Sequence, residues 1–90
     1  MSREEIITAN DLLRTEFKGG MILFTPAVAD LSAELRARAL IRLTQYKTFY
    51  EDSDHSRGIF IFADMTFVFD IGVFAGERSL TLSLAHEWQT

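Results

Sequence analysis

Apolar positions recur every three or four residues in the first half of the chain and every two residues in the second half. Near the N-terminus they form one stripe, made of Ile6, Ala9, Leu13 and Phe17. This spacing predicts a helix over about 3–17, which Gly19-Gly20 ends. A second stripe is made of Leu35, Ala39, Leu43, Tyr46 and Tyr50. It predicts a helix over about 32–48 with Ser32 as its cap.

Shorter signals lie between and after these two helices. The apolar run 21–24 predicts a strand covered on both faces. Thr25-Pro26 predicts a turn of helix over about 26–30, because Pro lacks only an N–H that the first turn does not use. Residues 51–58 are polar throughout, which is typical of a loop. A short strand therefore joins the helices, and the sheet is completed after the loop.

The remaining residues predict three consecutive strands. The run 59–62 is apolar at every position, which is typical of a central strand. Alternation predicts further strands over 66–74 and 80–88, with the short link 63–65 closing the first hairpin. We therefore expect an α+β fold in a single compact domain, 1–90. It consists of helix-strand-helix followed by a three-stranded antiparallel meander, with the helices packed on one face of the sheet.

This arrangement leaves some apolar side chains without cover. Phe60 and Phe62 point to one side of their strand and Ile59 and Ile61 to the other. Helices packed on a single face can bury only one of these sets. The other set needs the first helix, a second copy of the chain or a partner protein, since large exposed apolar patches usually mark interaction sites.

Composition narrows the class of protein. The ninety residues include nine Lys and Arg, thirteen Asp and Glu and no Cys, for a net charge of −4. The absence of Cys excludes a disulfide framework and a thiolate zinc site. The first residues lack the apolar core of a signal peptide, so we expect a cytoplasmic protein, in the host cell cytoplasm if it is phage-encoded. The acidic balance and the spread of charges predict no direct nucleic-acid binding and no membrane partner.

No catalytic or metal-binding pattern in the sequence is complete. Residues 52–56 begin like a calcium loop, but Arg57 and Ala63 stand where that loop needs Gly and an acid. His55 lies in this loop, and His86 lies on the apolar face of the last predicted strand. For His55 we expect a position in a solvated loop, with a looser metal site as the alternative. For His86 we expect a partly buried, hydrogen-bonded core histidine, with a catalytic base as the alternative, because no partner in the sequence identifies a proton-transfer pair. We expect no enzyme activity, no cofactor and no metal.

Negative charge is concentrated in residues 51–90, which hold two basic and seven acidic residues, a balance of 2 − 7 = −5. Asp70 interrupts an aromatic strand and must face water or meet a cation, because a buried unpaired carboxylate is costly. Arg38 and Arg42 flank the stripe of the second helix, as surface residues or as partners of an acid on the sheet. The predicted partner-binding residues are the seven acids: Glu51, Asp52, Asp54, Asp64, Asp70, Glu77 and Glu87.

Several short stretches, taken in order, resemble an uncharacterised domain family, a domain of unknown function found on bacterial plasmids and prophages. The resemblance runs from about 10 to 88 and rests on Asn10-Asp11, Arg14, Gly19-Gly20, Thr25, 35–40, Phe49, 51–54, Gly58, 69–71 and 80–88. The chain departs from the family pattern at 55–58, where a Glu-His-Asp-Phe-Gly stretch is shortened, and at 70–75, where Lys-Ile-Asp-Tyr-Tyr-Asp is replaced. The resemblance implies that an activity residing in those stretches is lost or changed here.

The chain is also similar in size and character to phage anti-CRISPR proteins, and this analogy implies a function. The chain is then a non-enzymatic inhibitor that binds a Cascade-type CRISPR effector complex of the host and blocks its positively charged target-DNA site. The seven carboxylates would have to converge into one patch, and binding would be steered by charge and weakened by salt. The alternative is a homodimerising structural or adaptor domain of a mobile element without nucleic-acid mimicry. For the chain itself we expect a monomer or a weak homodimer. A third hypothesis is an enzyme or metal protein that uses His55 or His86.

Overall fold

The computed structural model describes residues 1–88 and shows helices on one side of a four-stranded sheet. The helices are α1 (Arg3–Glu16), α2 (Pro26–Ala29) and α3 (Ala33–Gln45). The strands are β1 (Met21–Phe24), β2 (Arg57–Phe62), β3 (Met65–Phe74) and β4 (Glu77–Leu84). A 3-10 turn at Ala85–Trp88, called the C-terminal turn below, follows β4. Within the described residues no helix is both long and apolar enough to cross a membrane.

Helix α1 confirms the prediction made from its stripe, and its ends have identifiable caps. The Ser2 hydroxyl accepts a hydrogen bond from the backbone N–H of Glu5, which satisfies a free donor of the first turn. At the other end Phe17 adopts a left-handed conformation with φ 57° and donates its N–H to the Leu13 carbonyl. The helix therefore closes just before Gly19-Gly20, and Gly19 continues the reversal at φ 86°.

Helix α3 begins where the sequence predicts and ends earlier. Ser32 caps it by accepting a hydrogen bond from the Leu35 N–H. The chain leaves the helix at Tyr46, which is extended, whereas the stripe predicts that it continues to 48. Tyr50 was placed on the buried stripe, and this is wrong: its side chain is 86% exposed. The extended residues 46–50 instead run towards the loop that precedes β2.

The sheet differs from the predicted three-stranded meander because β1 joins it as a fourth strand. The strand order is β1-β4-β3-β2, with β1 parallel to β4 and the other neighbours antiparallel. The prediction that 59–62 is a central strand is wrong, because β2 lies at one edge, and β1, predicted to be covered on both faces, lies at the other. A local apolar pattern does not encode strand order: the inner strands are β3 and β4.

The core lies between the helices and one face of the sheet. It contains Leu13, Val28, Ala39 and Leu43 from the helices, and Phe67, Phe69, Ile71, Leu80, Leu82 and Leu84 from β3 and β4. Phe60 and Phe62 pack against this cluster from β2. Ile59 and Ile61 point to the opposite face, because successive side chains of a strand alternate. Among residues 1–88 no α-helix packs on that opposite face, which we call the open face; the C-terminal turn lies against part of it, where Val68 and Ser83 are buried.

Tight turns join the three antiparallel strands. Ala63 and Asp64 connect β2 to β3 with φ values of 53° and 62°, the left-handed pair that a two-residue hairpin favours. Ala75 and Gly76 connect β3 to β4 with φ values of 53° and 80°. Strand β4 ends at Leu84, so the strand predicted to reach residue 88 is shorter than expected and its last four residues turn away.

Candidate interaction surfaces

The seven carboxylates predicted to bind a partner lie in separate places. Glu51, Asp52 and Asp54 are in the loop before β2, Asp64 is in the first hairpin turn, and Glu77 begins β4. Asp70 is inside β3 and Glu87 is in the C-terminal turn. Asp64 and Glu77 flank opposite ends of the ten-residue strand β3. They are roughly 30 Å apart at about 3.3 Å per residue. The fold therefore does not bring the seven together.

Asp70 and Glu87 are engaged within the chain. Asp70 accepts a hydrogen bond from Arg57 Nε at 3.2 Å on the open face, the cation partner that its place in an apolar strand requires. Glu87 accepts from the Thr25 hydroxyl at 2.6 Å and from the Leu84 N–H at 2.8 Å. Burial opposes its ionisation, but these bonds outweigh burial and hold the pKa of Glu87 below its usual value. This carboxylate ties the C-terminal turn to the start of α2.

Three of the seven carboxylates remain close together. We call Glu51–Asp54 the acidic loop, in which Glu51, Asp52 and Asp54 are exposed and form no ion pair with any residue in 1–88. Helix α1 holds the backbone of this loop: the Arg3 guanidinium donates to the Glu51 and Ser53 carbonyls at 2.7 and 3.0 Å. The loop is thus fixed while its carboxylates point to solvent.

A cluster of mostly polar side chains, which we call the anchor cluster, lies beneath this loop, and Asn10 and Arg14 in it are buried. It consists of Asn10, Asp11, Arg14, Phe49, His55 and Arg78. Asn10 donates to the Asp54 carbonyl at 2.9 Å and accepts from Arg78. Asp11 binds Arg14 Nη1 at 2.8 Å and His55 Nδ1 at 2.8 Å. The Phe49 ring stacks on His55 with centroids 4.0 Å apart and lies 4.9 Å from the Arg14 guanidinium.

The anchor cluster sets the ionisation of Asp11. Burial raises the pKa of this carboxyl, but the hydrogen bonds and charges of Arg14 and His55 outweigh burial and lower it overall. The pKa of Asp54 is also lowered, mainly by its hydrogen bond with Ser56. Both carboxylates are therefore ionised well below neutral pH, and Asp11 stabilises the loop as an anion.

The sequence pattern missed this cluster because it assigned an apolar face to α1. The buried residues of α1 are Asn10, Leu13 and Arg14, while Phe17 of the predicted stripe is exposed. The local signal for the cluster is the group of polar residues Asn10, Asp11 and Arg14 on this helix. Asn10 and Asp11 bind Asp54 and His55, forty-four positions away, which is beyond the reach of helical periodicity.

The two histidines lie apart. His55 belongs to the anchor cluster, whereas His86 is exposed in the C-terminal turn instead of on an apolar strand face. In the part of the chain that the structure describes, no group of three or more His, Asp or Glu side chains is placed to hold a metal ion. Asp11 holds the Nδ1 nitrogen of His55, and the Phe49 ring covers one face of the imidazole. These two contacts orient the loop that carries His55.

Exposed apolar side chains of β2 and of the C-terminal turn meet on the open face. Ile59 is 58% exposed, Ile61 70% and Trp88 53%, and we call these three residues the open-face patch. Trp88 Nε1 donates to Ser83 Oγ at 2.8 Å, and the Arg57 guanidinium lies 5.6 Å from the indole ring. Of the two side-chain sets on β2, Ile59 and Ile61 are therefore the uncovered one. The sequence pattern does not place Trp88 on this face, because it assigns residues 85–88 to the last strand, whereas they form the C-terminal turn.

Comparison with protein-family models, with curated proteins and with solved structures finds no match to this chain.

Proposed function

We propose that this chain is a non-catalytic interaction protein that binds a host protein complex through the open-face patch. One observation carries the proposal: two isoleucines and a tryptophan remain more than half exposed on the open face, whereas Phe67, Phe69, Leu80 and Leu82 on the helical face are fully buried. Full burial of an Ile side chain is worth roughly 1.5–3 kcal/mol, so covering this patch is a large source of binding free energy. Contiguous exposed apolar residues usually mark such a contact.

The composition of the patch supports a protein partner. Tryptophan and arginine are the residues most often found at the energetic centre of protein interfaces, and Arg57 lies against Trp88 here. Both are held in place, Trp88 by Ser83 and Arg57 by Asp70. Little side-chain entropy is then lost when a partner covers them.

A photo-crosslinking amino acid placed at position 61 and expressed in host cells tests this proposal. Position 41 is the matched control, because Ile41 is also more than half exposed but lies on α3, away from the open face. We expect one protein complex to be crosslinked from position 61 and not from position 41. The same set of crosslinked proteins at both positions would contradict a specific contact at the patch.

A second function, inhibition of a Cascade-type CRISPR effector, is favoured by the acidic loop. Three unpaired carboxylates on a fixed backbone resemble a short run of phosphates and would compete for a cationic DNA groove. The other four predicted carboxylates do not add to this surface. The proposal is therefore narrower than the sequence suggested: a groove contact made by the loop alone.

Target-DNA binding by a purified Cascade-type complex, measured with increasing amounts of the chain, tests this second function. We expect the wild-type chain to displace DNA, and Glu51→Gln with Asp52→Asn to raise the inhibitory concentration by about tenfold and reduce its dependence on salt. Asp64→Asn with Glu77→Gln removes the same charge elsewhere and is the matched control. DNA binding that is unimpaired by saturating wild-type chain would rule out this function.

A further inference from the structure

The outer edge of β2 has unpaired backbone groups. The Ile71 N–H donates to the Ser56 carbonyl at 2.6 Å, and Arg57 lies opposite Asp70. In an antiparallel ladder this makes Arg57–Asp70 a non-hydrogen-bonded pair, so Gly58 and alternate residues after it bond to β3. The N–H and C=O groups of Arg57, Ile59 and Ile61 therefore point away from the sheet. In residues 1–88 no backbone group is seated on them.

This edge has few of the features that usually keep strand edges from pairing. Proteins protect such edges with Pro, with charged side chains, especially Lys, with bulges or with a covering element. The charged residue of β2 is Arg57 at its first position, and its guanidinium is paired with Asp70 on the open face. Strand β2 reads Arg-Gly-Ile-Phe-Ile-Phe, and it pairs with β3 in continuous register over its whole length. A regular six-residue edge of this kind is a template for another strand.

The two ends of the edge differ in the charges they leave unpaired. At the Ile61 end a groove beside the strand is lined by Arg42 and Lys47. At the Arg57 end the surface past Tyr50 carries Glu51 and Asp52; the two cations beside them are engaged within the chain, Arg57 with Asp70 and Arg3 with the Glu51 and Ser53 carbonyls. Within the described residues, Arg42, Lys47, Glu51 and Asp52 form no ion pair. The charges at both ends are therefore available to a partner.

A second copy of the chain fits both properties. Antiparallel pairing of β2 with itself reverses the second strand, so the acidic end of each copy meets the basic end of the other. Pairing centred on Ile59 places Arg57 of each copy opposite Ile61 of the other. Every outward N–H and C=O of these three residues then has a partner. A foreign strand would need the same charge order by coincidence, whereas a twofold axis provides it twice.

We propose that two copies of this chain form a dimer by antiparallel pairing of their β2 edges, joining two four-stranded sheets into one continuous sheet. This dimer uses the strand edge and its end charges, and the proposed function uses the open face. The proposal therefore stands without that function. The two are separable by experiment, because charge reversal at Lys47 and Glu51 leaves Ile59, Ile61 and Trp88 of the open-face patch in place.

Sedimentation equilibrium over a concentration series tests the dimer. We expect the wild-type mass to rise from 10.3 kDa towards twice that value. Ile59→Pro removes an outward N–H without touching the bonds to β3 and is expected to remain monomeric. Ile59→Thr keeps the N–H and is the matched control, expected to dimerise. A wild-type chain that stays monomeric at all concentrations, or a folded Ile59→Pro chain that dimerises as tightly as Ile59→Thr, would overturn the proposal.

Charge reversal gives a second test that does not alter the strand. Lys47→Glu and Glu51→Lys each place like charges at both ends of the dimer, and each is expected to weaken dimerisation by about tenfold. The double variant exchanges the two charges and is expected to restore it, because the complementarity is rebuilt in reverse. Failure of the double variant to recover dimerisation beyond the single variants would contradict this geometry.

Discussion

The two faces of the sheet differ in how deeply their apolar side chains are buried. On the helical face, Phe67 and Phe69 are fully buried, whereas on the open face Phe74 is 86% exposed although it belongs to the same strand. Strand β2 shows the same contrast, with Phe60 and Phe62 packed on the core and Ile59 and Ile61 in solvent. Similar side chains thus hold the fold together on one side and remain available for binding on the other.

This contrast separates stability from function. Residues of the helical face contribute to the free energy of unfolding through dispersion and burial. Residues of the open face have few contacts to lose, so natural selection for the fold alone gives no reason to keep them apolar. The proposed function accounts for their apolar character, because exposed apolar patches usually mark a surface that binds a partner.

The largest expected effect comes from truncating the helical face. Phe69→Ala removes a ring packed against Tyr46 and Phe49 and should lower the free energy of unfolding by about 3–5 kcal/mol. Phe74→Ala is the matched control, since it truncates the same residue type in the same strand and should change stability by less than about 0.5 kcal/mol. Urea unfolding followed by circular dichroism measures both. Equal losses would mean that the open face is packed in solution.

An intermediate effect is expected at the anchor cluster, which belongs to neither face. Asp11→Asn removes the anion that binds Arg14 and His55 and should cost about 1 kcal/mol at pH 7, a modest figure because Asp11 is partly exposed to solvent. The folded-state pKa of Asp11 lies below the ordinary value of 3.8. Its contribution is therefore complete above about pH 5 and is lost as pH falls past the unfolded value and through the folded pKa.

The pH series supplies the control for that prediction. The difference in unfolding free energy between wild type and Asp11→Asn should be constant from pH 7 to about pH 5 and should shrink towards zero in stronger acid. A difference that persists unchanged at pH 2.5 would show that Asp11 acts through packing and not through its charge. Thermal unfolding at each pH provides the measurement.

Whether a feature of the fold can be predicted from the sequence depends on how far apart along the chain its interacting residues lie. The helix stripes, the Ser32 cap and the alternation in β3 act over a few residues, and they predict α1, α3 and β3 well. Strand order depends on contacts between distant segments. Nothing in the run 59–62 distinguishes a central strand from an edge strand whose outward side chains are also apolar.

The candidate surfaces show the same limit. The acidic loop is predicted correctly as a local run of carboxylates, but their distance from Asp64 and Glu77 is set by the length of β3. Asn10 and Asp11 look like solvated helix residues until a loop more than forty positions away supplies Asp54 and His55 as their partners. Trp88 lies on the open face because the chain turns after Leu84, where Glu87 accepts hydrogen bonds from the Leu84 N–H and the Thr25 hydroxyl.

The smallest expected effect on stability is at the open-face patch itself, and it sharpens the contrast most. Ile61→Thr keeps a β-branched residue on an edge strand and removes apolar area that is already 70% exposed, so the free energy of unfolding should change by less than about 0.5 kcal/mol. The same substitution should weaken crosslinking to the host complex from a probe at position 59. A loss of stability above about 1.5 kcal/mol would place Ile61 in a packed interface of the isolated chain. Its exposure would then be no argument for a partner.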